Sequence, residues 1–164
     1  MSLTARPTKN KHQRIGLISD THGSVRPQAL AALGDCDLII HAGDIGKPEV
    51  LAALKRIAPL IAIKGNIDRG TWAKSLPDIK LVKIGATKVY LIHNLKDLAF
   101  DPAARGIHVV ISGHSHKPLV VTRGNVLYVN PGSAGPRRFK LPVSVGCLLL
   151  NGDTVKAEIV ELAI

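Results

Sequence analysis

Apolar positions change their spacing partway along the chain. Residues 15–19, 37–40 and 60–64 are short runs rich in Ile and Leu, and each reads as a buried strand. Between them, residues 27–33 begin on Pro27 and stop at Gly34. Residues 48–57 begin on Pro48 and set Val50, Leu51, Leu54 and Ile57 on one face. Both stretches read as helices, because the missing N–H of proline costs nothing in a first turn and glycine suits a helix end. Strand, helix, strand, helix, strand predicts a largely parallel sheet with right-handed crossovers. Further on, strands dominate. Residues 81–84 and 88–92 pair around Gly85-Ala86, a short helical stretch follows at 101–105, and 109–112 is a further strand. Residues 119–122 with 126–130, and 143–150 with 154–160, read as hairpins turning at Arg123-Gly124-Asn125 and Asn151-Gly152-Asp153. The second half is expected to form a second sheet layer.

Composition narrows this picture. A chain of 164 residues favours one domain, and 46% hydrophobic against 3% aromatic residues demands an aliphatic core. Residues 1–14 are polar and carry Arg6, Lys9, Lys11 and Arg14 without an acid, so they are expected to form a mobile basic arm ahead of a single domain at 15–164. Cys36 and Cys147 lie in apolar stretches without CxxC spacing and read as reduced, buried thiols. No apolar run is long enough to cross a bilayer, and the N-terminus lacks the apolar core of a signal peptide. A cytoplasmic protein without a membrane partner is therefore expected. The net charge of +10 favours anionic ligands. Its basic residues are scattered and aromatics are scarce, which makes nucleic acid a secondary expectation. Homo-oligomerisation stays open.

The candidate chemistry lies where strands stop. Asp20 and His22 follow the first strand, Asp44 the second, Asn66 and Asp68 the third, His93 the 88–92 strand, and His114 and His116 the 109–112 strand. Ligands in open α/β sheets bind beyond the carboxyl ends of strands, so these side chains converge if the strands share a sheet. One such residue is ordinarily a turn residue, but five strand ends each bearing one are hard to assign to turns alone. Glycine precedes Asp44, Asn66 and His114, which permits close backbone approach. Oxygen and imidazole ligands without thiolate suit manganese, iron, zinc or nickel, and the number of ligands suits two divalent ions.

The ordered motifs Ser19-Asp20-Thr21-His22-Gly23, Gly43-Asp44, Gly65-Asn66-Ile67-Asp68, Gly113-His114-Ser115-His116 and Asn130-Pro131-Gly132-Ser133 resemble the calcineurin-like metallophosphoesterases. The resemblance is to the small single-domain group of bacterial phosphodiesterases and the scaffold subunit Vps29. It implies an α/β fold, a four-layer α/β/β/α sandwich of two mixed sheets flanked by helices. It further implies two divalent metals, manganese first and iron, nickel or zinc next. Asp20, His22 and His116 would hold one, Asn66, His93 and His114 the other, and Asp44 would bridge them. A hydroxide held between the metals would then hydrolyse a small phosphate ester, with Asp20, His22, Asp44, Asn66 and Asp68 as the catalytic set. The competing expectations are a metal-binding scaffold of the Vps29 type and a nuclease-like hydrolase.

Two departures stand out. Ile67 occupies the position where many relatives carry a leaving-group histidine, and Asn94-Leu95 replaces the Gly-His that commonly follows the counterpart of His93. Asn94 can still take a left-handed conformation in place of that glycine. Arg69, Lys96, Arg137 and Arg138 follow motifs and are candidate phosphate contacts. His41 is expected to be structural.

Overall fold

The computed structural model describes residues 12–138 and 140–164. Among these residues, ten strands and two α-helices occur in the order β1 (His12–Ile18), α1 (Pro27–Ala32), β2 (Leu38–His41), α2 (Pro48–Lys55), β3 (Leu60–Ala62), β4 (Ile79–Ile84), β5 (Thr87–Ile92), β6 (Val109–Ile111), β7 (Leu119–Arg123), β8 (Val126–Asn130), β9 (Ser144–Asn151) and β10 (Thr154–Glu161). Short 3-10 turns occur at Thr71–Ala73, Leu95–Asp97 and Pro102–Arg105.

The strands form two five-stranded mixed sheets, ordered β10-β9-β1-β2-β3 and β4-β5-β6-β8-β7. The last hairpin therefore joins the first sheet, not the second layer expected for it. The reason lies in β9, which is buried on both faces through most of its length. Such a continuous apolar run fits a central strand between β1 and β10. Residues 12–14, expected within the N-terminal arm, belong instead to strand β1. His12, Gln13 and Arg14 pair with Asn151, Leu150 and Leu149 of the long strand β9. The Arg14 amide donates to Asp37 at 2.8 Å. Residues 1–11 of the expected arm lie outside the described residues.

Between the sheets, Ile15, Leu17, Ile40, Leu148 and Leu150 meet Val89, Leu91, Val109, Ile111 and Val129 in one aliphatic core. Ala29 of α1 and Leu33 just after it, with Val50 and Leu54 of α2, cover the outer face of the first sheet over Ile18, Ile39 and Val145. The second sheet's outer face carries Tyr90, Ile92, Val110 and Val126. Leu95, Leu98 and Phe100 cover them, contributed by the 3-10 turns and their connections and not by α-helices. This is the expected four-layer sandwich, with its last layer reduced to 3-10 turns. Both cysteines are free thiols. Among the described residues no helix is long and apolar enough to cross a membrane.

Candidate metal centre

The ligand-bearing strands do not share one sheet. β1, β2 and β3 are mutually parallel in the first sheet, and β5, β6 and β8 are mutually parallel in the second. The strand ends of both sheets meet at one edge of the sandwich, which brings Asp20, His22 and His116 into one group and Asp44, His93 and His114 into another. In each group the candidate ligand atoms lie within 4.8 Å of one another.

The two carboxylates divide their oxygens in the same way. Asp20 Oδ2 accepts from the Ser19 hydroxyl at 2.6 Å and from the His114 amide at 3.1 Å. Its other oxygen, Oδ1, is buried without a hydrogen-bond partner. Around that oxygen stand His116 Nε2 at 3.4 Å and His22 Nε2 and His93 Nε2 at 3.9 Å. Asp44 Oδ1 accepts from the Ile67 amide at 3.2 Å, while Oδ2 faces His93 Nε2 at 3.4 Å and His22 Nε2 at 3.7 Å. Unpartnered acceptors converging on one point in a buried site are costly unless a cation completes them. Asp20 Oδ1, His22 Nε2 and His93 Nε2 all lack partners, so this donor set fits metal ions.

His93 is oriented for ligation. Its Nδ1 donates to the Ala42 carbonyl at 2.7 Å, which leaves the Nε2 lone pair towards the carboxylates. Burial of Asp44 raises its pKa, but the His93 imidazole 3.4 Å away, the Ile67 amide and His22 outweigh it and hold the carboxyl at about 2. Asp20 is shifted the other way, because burial outweighs the Ser19 hydroxyl and the nearby His93 and His116. Divalent ions would remove that penalty by supplying the missing positive charge.

Backbone conformation marks the same residues. Among the described non-glycine residues, left-handed backbone occurs at Asp20, His22, Asp44, His114, His116 and Asn125. Five of these six are candidate ligands, and Asn125 is a hairpin turn residue. Left-handed backbone is unfavourable for residues with a Cβ and concentrates where function demands it. The glycines before three ligands answer a spatial need. A Cβ on Gly65 would strike the backbone nitrogen and Oδ1 of Asp44, and one on Gly113 would strike Ser19 Oγ and Asp20 Oδ2.

Asp68, expected in the catalytic set, is engaged by backbone amides and belongs to neither ligand group. Its carboxylate accepts from the Ile45, Gly46 and Gly65 amides at 3.1, 2.9 and 2.8 Å. It ties the Asp44 loop to the Asn66 loop and is a positioning residue. Asn94 is extended (φ −109°), not left-handed, and caps the following 3-10 turn by accepting from the Lys96 amide. Asn66 and His93 line a cleft of about 370 Å³, and His114 and Lys96 line a second of about 560 Å³. Arg138 is exposed, and its charge reaches His116. Arg69 and Arg137 are exposed and line neither cleft. Sequence reasoning missed Ser19 as the partner of Asp20 and Lys117 as a cleft residue; each adjoins a ligand in sequence, the one available signal.

His41 is structural, as expected. Its Nδ1 accepts from the Gly43 amide at 3.1 Å, so the Nε2 proton faces Thr21 Oγ1 at 3.0 Å, and that hydroxyl donates to the Ile45 carbonyl. Burial, with His93 and His22 nearby, lowers its pKa from 6.5 to about 3. As pH falls below 6.5 the unfolded chain takes up this proton before the folded one does. Stability of the metal-free protein is expected to fall from there towards pH 3, with a slope approaching about 1.4 kcal/mol per pH unit. Melting curves from pH 7 to 4 check this against His41→Gln. Parallel curves for the two proteins would overturn it.

The calcineurin-like phosphoesterase superfamily domain matches residues 14–153, and the chain belongs to that superfamily. It is 35% identical to a probable metallophosphoesterase of Methanothermobacter thermautotrophicus, covering 90% of this chain and 91% of that one. It is 28% identical to a phosphodiesterase of Methanocaldococcus jannaschii, covering 92% and 99%. Its fold is similar to that of vacuolar protein sorting 29 from Cryptosporidium parvum, with a TM-score of 0.80 at 20% identity over 93% of this chain and 92% of that one.

Proposed function

We propose that this protein is a dinuclear-metal-dependent phosphodiesterase acting on a small phosphate ester. The observation that carries the reading is the pair of ligand groups flanking Asp20 and Asp44, each carboxylate offering one oxygen to the centre. Asp20, His22 and His116 would hold one ion, Asn66, His93 and His114 the other, with Asp44 between them. Manganese is the first expectation, then iron, nickel or zinc. When bound, the ions supply an activated water nucleophile and neutralise phosphoryl charge.

Hydrolysis forms one P–O bond from water and breaks another, and the leaving oxygen must end protonated. His93 cannot serve as donor, because its proton is committed to Ala42 and its free nitrogen is a ligand. Ile67, 42% exposed beside Asn66, has no proton to give, and its amide is committed to Asp44. With neither of these as donor, the leaving group is expected to depart with little assistance. Metal-stripped protein is expected to hydrolyse an aryl phosphodiester once Mn²⁺ is added. Replacing the aryl by an alkyl leaving group is expected to lower kcat by at least about 10²-fold, the contribution usual for general-acid catalysis. Absence of metal-stimulated turnover with any of the four metals would overturn the reading. It would favour a scaffold, for which the exposed Ile67 beside the ligands is the supporting feature.

A further inference from the structure

Two clefts open beside the ligand cluster, and they differ in charge. The smaller, about 370 Å³, contains Asn66 and His93 together with Lys64, Asp78 and Asp97. Lys64 Nζ lies 3.9 Å from Asp78 Oδ1, so Asp97 is left as the uncompensated charge. The larger, about 560 Å³, contains His114 with Lys96 and Lys117, and no carboxylate lines it. Asn94 borders both clefts, so they meet where His93 and His114 face each other with ring centroids 5.3 Å apart.

The polar groups of the larger cleft are unequally available. Asn94 Oδ1 accepts from the Lys96 amide, and Asn130 Nδ2 donates to the Gly113 carbonyl and the Ser115 hydroxyl. Lys96 and Lys117 are exposed and take part in no ion pair among the described residues. The strongest unfilled demand of this cleft is therefore for negative charge, set against the apolar wall of Leu95 and Leu119.

We infer that the preferred substrate is an asymmetric phosphodiester whose one arm carries a second anionic group, a phosphate or a carboxylate. That arm lies in the larger cleft between Lys96 and Lys117, and the other arm, uncharged or amine-bearing, lies in the smaller. The inference rests on the phosphodiesterase reading and adds a direction to it. A diester phosphorus beside His93 and His114 projects its two ester oxygens apart, one towards each cleft. Exchanging the arms would set an anion against Asp97, a like-charge contact that rejects the reversed pose.

The test compares two p-nitrophenyl diesters, one with a 2-phosphoethyl second arm and one with a 2-hydroxyethyl second arm. The wild type is expected to show a KM about tenfold lower for the phosphoethyl ester, the order expected of two solvent-screened charge contacts. The preference should shrink as salt rises. In the Lys96→Gln/Lys117→Gln variant the ratio of the two KM values is expected to fall to near one. Equal KM values in the wild type, or a preference that survives in the variant, would overturn the inference while leaving the phosphodiesterase reading intact. A second measurement needs no turnover. Inorganic phosphate titrated into metal-free protein is expected to give saturable amide shifts at Lys96 and Lys117 but not at Lys64 and Asp78, and the variant should lose them. Shifts in neither cleft, or equal shifts in both, would overturn the inference by themselves.

Discussion

Asp44→Asn is expected to lower kcat/KM for an aryl phosphodiester by at least about 10³-fold, roughly 4 kcal/mol of transition-state stabilisation. The replacement is nearly isosteric, and its carbonyl oxygen can still accept from the Ile67 amide at the position of Oδ1. What it loses is Oδ2, the oxygen facing His22 and His93 together. An amide NH₂ in that place is a donor and repels a cation. Metal content per chain is expected to fall in parallel, measured by elemental analysis of protein purified with and without added Mn²⁺. A variant that keeps two ions per chain and wild-type turnover would show that Asp44 does not bridge.

Gly65→Ala is expected to destabilise the metal-free protein by about 3 kcal/mol or more, at the upper end of what overpacking costs. The new Cβ would meet the backbone nitrogen of Asp44, which cannot swing aside as a side chain can. Gly85→Ala is the control. Gly85 has φ +59°, and nothing lies within 4 Å of the point where its Cβ would stand, so only the left-handed backbone penalty of about 1–2 kcal/mol applies. Urea midpoints of the metal-free proteins separate the two costs. A Gly65→Ala midpoint no lower than that of Gly85→Ala would refute the close approach between the Asn66 and Asp44 loops.

Much of this arrangement is legible in the chain. The β-branched runs and the Pro-to-Gly helix signals place the strand and helix cores, because local periodicity and cap chemistry govern them. The partner of β9 is not legible, since a doubly buried strand announces that it is central without saying in which sheet. The candidate ligand set can be read because its members lie just beyond strands, and parallel strands present their carboxyl ends on the same side. Its placement across two sheets cannot, because inter-sheet contacts leave no periodic signature. The role of Asp68 is hidden for a related reason. An aspartate in a turn looks the same in sequence whether it faces a cation or three amides. The side chain of Asn94 caps the next turn from an extended backbone, a choice that the residue type alone does not reveal.

The left-handed angles at Asp20, His22, Asp44, His114 and His116 also set local backbone comfort against the side chains that these positions carry. At each of these positions glycine would sit more easily on local sterics, and glycine is a single nucleotide change from aspartate codons. Glycine at any one of these five positions is therefore expected to ease the backbone of the metal-free protein while removing a candidate ligand.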